Sequence, residues 1–70
     1  MMFRHYKGDL YRVLFEAWES TNGRERKEVV VYVSLKLGTV NVRNKDEFYG
    51  DVQDGGRTVK RFNPVQGWES

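Results

Sequence analysis

The chain has no cysteine, which excludes disulfides and thiolate metal sites and fits a reducing cytoplasm. No apolar run approaches the roughly 20 residues of a membrane-spanning helix, and the N-terminus lacks the apolar stretch of a signal peptide, so a membrane partner is not expected. Charge of one sign is also scarce: twelve Lys and Arg face ten Asp and Glu, for a net charge of +2. That excess is too small to argue for nucleic acid by itself. The seven glycines never combine with a lysine into a phosphate-cradling motif, so nucleotide hydrolysis has no support. Internal repeats and low-complexity segments are absent. Seventy residues allow one domain. A core of that size seldom supplies more than about 3–5 kcal/mol, and with no disulfide available, self-association is one way to add stability.

The single histidine and the acidic residues carry little chemistry. His5 would need an orienting carboxylate and a pocket to act as a base, and nothing in the sequence positions either. Asp46, Glu47, Asp51 and Asp54 cluster along the chain, but Asp51 to Gly56 lacks the alternating oxygen ligands of a calcium loop. They read as turn and cap residues. Ser20, Ser34 and Ser70 lie in no nucleophile elbow. The chain is therefore expected to be non-enzymatic, with no metal and no small-molecule cofactor.

What the sequence does have is aromatic and β-branched residues in alternation. Along Leu10 to Trp18, Tyr11, Val13, Phe15 and Ala17 fall on one face, with Arg12 and Glu16 on the other. Along Glu28 to Leu37, Val29, Val31, Val33, Leu35 and Leu37 point one way; Glu28, Tyr32, Ser34 and Lys36 point the other. Asn22-Gly23 between the two runs supplies the positive φ angles of a tight hairpin, so residues 10–18 are expected to pair with 27–37. Phe3 to Lys7 reads as a first strand turned by Gly8-Asp9, and Thr39 to Arg43 as another strand. Asn44 and Glu47 have the spacing of a capping box, for one helical turn near residues 44–48. Tyr49 to Gln53 and Arg57 to Phe62 flank the hairpin signal Asp54-Gly55-Gly56. Pro64, the one proline, cannot continue a central strand, and residues 64–70 read as a tail behind a domain of residues 3–63. These short strands with one helical turn predict an all-β fold: a small antiparallel five- to six-stranded SH3-like barrel. An OB-like barrel, which needs longer strands and a real helix, is the second choice.

His5-Tyr6-Lys7-Gly8 followed by Tyr11-Arg12-Val13-Leu14 resembles the opening of the domain-of-unknown-function family 1653. Glu28-Val29-Val30-Val31-Tyr32 is similar to its central strand. Val42-Arg43 with Glu47-Phe48, and Val59 with Arg61-Phe62, are similar to its later landmarks. The resemblance spans residues 3 to about 63. The family's Trp before the matched Val-Arg and Pro after it are replaced by Val40 or Asn41 and by Asn44, and the Pro before the matched Arg-Phe by Lys60. The resemblance implies a compact β domain encoded as a small standalone bacterial or phage protein, and no known activity.

Two surfaces stand out as candidates. Arg4, Lys7 and Arg12, interleaved with Tyr6 and Tyr11 and joined by Lys60 and Arg61 if the first and last strands are neighbours, have the residue types of a single-stranded nucleic-acid groove. Phe3, Tyr6 and Tyr11 read first as core, with the basic residues on the solvated side. Trp18 and Tyr32 lie on the more polar face of their strands, where exposed aromatics among charges suit a peptide or protein. The expected function is a cytoplasmic binding or adaptor module that engages a protein partner or itself, with nucleic acid as the alternative. The expected surface is Arg4, Lys7, Arg12, Trp18, Tyr32 and Arg61.

Overall fold

The computed structural model describes residues 1–21 and 26–67. Its elements are β1 (Met2–His5), β2 (Leu10–Glu19), β3 (Lys27–Ser34), β4 (Val40–Asn44), α1 (Lys45–Phe48), β5 (Asp51–Asp54), β6 (Arg57–Lys60) and β7 (Phe62–Pro64). Five strands form one antiparallel sheet in the order β4-β3-β2-β1-β7, and β5 and β6 form a separate pair. The all-β class is as expected, but the expected last strand, residues 57–62, is split: β6 pairs only with β5, and β7, which carries Pro64 out of the expected tail, lies beside β1. Barrel closure does not occur: β4 and β7 are the two edges of the large sheet and do not pair. β7 is only three residues long and ends at Pro64, which has no N–H to extend a ladder. No helix among the described residues is long and apolar enough to cross a membrane.

The local signals act as their chemistry requires. Gly55 and Gly56 adopt φ of 59° and 83° and turn β5 into β6, the positive pair that a two-residue hairpin demands. The Asn22-Gly23 turn lies outside the described residues; β2 and β3 pair on either side of it, from Glu19 with Lys27 to Tyr11 with Ser34. β3 is shorter than its alternation predicts. Ser34 accepts the Gly38 N–H at 2.8 Å through its carbonyl and the Leu37 N–H at 3.0 Å through its hydroxyl, so residues 35–38 form a turn. The capping box does not form. Asn44 makes no side-chain cap bond, and Glu47 instead pairs with Arg43 at 3.7 Å.

The core lies on one face of the sheet. Phe3, Val30, Tyr32, Phe48 and Phe62 form it, with Tyr11 and Val13 packed against it. Phe48 and Phe62 stack at 4.1 Å, and Phe3 and Tyr32 meet Phe48 edge-on, each at 5.2 Å. α1 drops Phe48 onto the sheet, which makes this single turn the lid of the core. Tyr6, read as core, is only half-buried. Tyr32 corrects a second expectation. Alternation placed it on the polar face of β3, yet it is 4% exposed, and its hydroxyl accepts the Arg43 Nε–H at 3.2 Å. β3 runs between β2 and β4, so it is flanked along both edges, and the aromatic row from Tyr11 and Phe62 claims the Tyr32 side as core.

β2 carries a second correction. Its pairing with β3 shifts between Val13 and Phe15, where Leu14 is the extra residue. Such a bulge inverts the alternation. Tyr11 and Val13 face the core, whereas Phe15 and Ala17 turn to the opposite face.

Candidate functional site

Residues paired directly across antiparallel strands share a face. Three cross-strand rows therefore build the side of the sheet away from the core. Arg12, Val33 and Val40 form the first; Phe15, Val31 and Val42 the second; Ala17, Val29 and Asn44 the third. Glu19 and Lys27 close one end of this face. Arg4, diagonal to Arg12 on β1, flanks the other. Phe15 is 57% exposed and Val40 and Val42 each 61%. Val29 and Val31, on the central strand of the three, are buried. Met2, paired with Arg12, belongs to the same face and is 3% exposed, so the open part of the face lies on β2, β3 and β4. The bulge produces it: in a regular ladder with Leu14 paired, Phe15 would share the core face with Val13.

The six candidates from the sequence separate. Arg4 and Arg12 lie on the outer face, and Arg4 donates to the Gly8 carbonyl at 2.9 Å. Lys7 sits in the β1–β2 turn, its ammonium 5.8 Å from the Tyr6 ring centre. Arg61 is bound near β1 through its backbone, its carbonyl accepting the Tyr6 N–H at 2.9 Å, while its Nε–H donates to the Glu47 carbonyl at 3.1 Å. Tyr32 is core and unavailable as a surface residue. The fold therefore divides the basic candidates, Arg4 and Arg12 on the outer face and Lys7 and Arg61 near His5. Sequence reasoning missed Phe15, Val40 and Val42. The signal for Phe15 was three consecutive apolar residues, Val13-Leu14-Phe15, inside an alternating strand.

Trp18 is 57% exposed beside an open cleft of about 230 Å³ that also takes in Arg26, Lys27, Glu28, Lys45 and Asp46. One of its cations, Lys45, is already used. Lys45 Nζ lies 3.1 Å from Glu16 and 3.6 Å from Glu28. The Glu16 hydrogen bond and the charges of Glu16 and Glu28 hold the Lys45 ammonium above its usual pKa. Tyr49 donates its hydroxyl to Glu16 at 3.4 Å, and burial, then the Glu16 charge, raise the Tyr49 pKa. With Glu28 and Asp46 in its wall, the cleft is mixed in charge rather than a cationic pocket.

His5 packs against Tyr6 and Phe62, and its Nδ1 accepts the Lys7 N–H at 3.1 Å. Burial, then the charges of Arg43, Arg61 and Lys7, lower its pKa. Among the described residues no three His, Asp or Glu side chains converge closely enough to hold a metal ion.

A family model described as "Protein of unknown function (DUF1653)" matches residues 1–64. Neither curated proteins nor solved structures gave a match to the chain.

Proposed function

The chain belongs to the DUF1653 family of proteins of unknown function, and on that premise we propose that it is a cytoplasmic, non-enzymatic binding module whose working surface is the outer face of β2, β3 and β4. The observation that carries this reading is the exposure of Phe15, Val40 and Val42 in adjoining rows on one side of a sheet whose other side already holds the core. An apolar strip rimmed by Arg4, Arg12, Glu19 and Lys27 has the make-up of a protein interface, apolar at the centre and charged at the edge. It supports binding to a protein partner or to a second copy of the chain.

The test compares the wild type with a Phe15→Ser/Val42→Thr variant, both shown to be folded by circular dichroism. Immobilised wild type should retain itself or another protein, and the variant should lose that retention. Equal capture by both, or by neither, would overturn the assignment of this face. Salt-sensitive binding of labelled single-stranded oligonucleotides by the wild type, lost on Arg4→Ala/Arg12→Ala, would move the reading to nucleic acid.

A further inference from the structure

The outer face carries its own complement. Arg12 stands at one end of its β2 row and Glu19 at the other. Their cross-strand partners on β3 are Val33 and Lys27, with Val30 midway between them. Phe15 and Ala17, one large and one small, are opposite Val31 and Val29, so they are symmetric about that same midpoint. A two-fold axis lying between two such faces, at right angles to the strands and level with Val30, lays each strand over its own copy running the other way. Arg12 of each chain then meets Glu19 of the other, and Phe15 of each chain covers Ala17 of the other. Val31 lies over Val29, and Val42 over Asn44. Lys27 falls over Val33, against which its aliphatic stem can lie while its ammonium reaches the rim.

From this complementarity we infer that the occupant of the outer face is a second copy of the chain, packed sheet on sheet as an antiparallel face-to-face dimer. The inference rests on the binding-module reading above and specifies its partner. Arg12 has no ion-pair partner among the described residues, so it is free to take one from a second copy. Paired sheets sit about 10 Å apart, within reach of an Arg and a Glu side chain. The area is modest. Three strands spaced by ~4.8 Å and eight residues rising ~3.3 Å each give a flat footprint of at most roughly 400 Å². A standard stable interface buries about 800 Å² per partner, so the dimer belongs to the weak, reversible class. A face-to-face pair also closes on itself with point symmetry and does not propagate into fibres.

Sedimentation equilibrium on the purified chain, from micromolar to millimolar concentration, tests this. The wild type should pass from one to two chains per particle. Arg12→Glu and Glu19→Arg, each creating two like-charge contacts per dimer, should raise the dissociation constant about tenfold or more. The double exchange Arg12→Glu/Glu19→Arg should recover most of the loss, and raised salt should weaken the wild-type dimer. A dimer indifferent to both single exchanges, or one that the double exchange fails to recover, overturns this geometry. A chain that stays monomeric while still retaining another protein through Phe15 and Val42 overturns the second copy and leaves the binding-module reading standing. A monomer that retains nothing overturns both.

Discussion

Phe48 is the residue on which the fold depends most. It is 0% exposed, stacks on Phe62 at 4.1 Å, and takes edge contacts from Phe3 and Tyr32. It is also the only buried residue of α1; the other ties of the helical turn to the sheet are exposed ion pairs of Lys45 with Glu16 and Glu28 and of Glu47 with Arg43. Phe48→Ala removes a ring from a site that cannot collapse, because the facing residues are fixed in strands. Substitutions of this kind cost about 3–5 kcal/mol. A domain of this size is worth roughly 3–10 kcal/mol in all, so the variant should sit near or below the folding threshold at 25 °C. Phe48→Leu, which keeps most of the volume, should cost about 1–2 kcal/mol and give a measurable curve. The assay is urea denaturation followed by circular dichroism, with the two variants and the wild type side by side. If Phe48→Ala unfolds with a loss below about 1 kcal/mol, the stack is not the centre of the core and the packing described here is wrong.

Other expectations can be checked with the same material. Tyr32→Phe keeps the ring but removes the acceptor for Arg43, and should cost about 1 kcal/mol in denaturant melts. Gly50→Ala places a Cβ 2.5 Å from the Asp46 carbonyl oxygen at the end of α1, and should destabilise by about 1–3 kcal/mol. His5 has a lowered pKa in the fold, so the unfolded chain binds its proton more readily. The His5 contribution to stability is therefore complete above the unfolded value of 6.5 and declines as pH falls through the lower folded value. His5→Gln should flatten that part of the pH profile, read as the difference between wild-type and variant stability from pH 7.5 to 5. Lys45 has a raised pKa in the fold, so its stabilising pairing is full below 10.5 and is lost as pH rises through the higher folded value. Lys45→Met should abolish that alkaline loss.

Much of the architecture is legible in the chain itself. The alternation of residues 28–34, the paired glycines after Asp54 and the turn at Gly8-Asp9 mark strands and hairpins through backbone chemistry that needs no tertiary context. The assignment of faces is less legible, for two physical reasons. On β3, flanked along both edges, residues of both faces are buried, so its hydrophobic row did not reveal that Tyr32, rather than Val31, faces the core. One inserted residue, Leu14, reverses everything beyond it, and a bulge has no composition of its own. The candidate site suffered from both. Arg4 and Arg12 belong to the outer face, Tyr32 does not, and the apolar centre at Phe15, Val40 and Val42 became visible only once register was fixed. Closure failed for a similar reason: strand count is readable, but whether two short edges meet is decided by their lengths and by Pro64.

The central claim is that the outer face of β2, β3 and β4 is a working surface. The most direct measurement is chemical cross-linking, in cell extract so that both a second copy and another protein can be captured, of folded wild type, Phe15→Ser/Val42→Thr and the off-face control Leu37→Ser, which alters a turn residue 72% exposed. The account predicts cross-linked species for the wild type and the control and their loss in the face variant. Equal cross-linking of all three would contradict it.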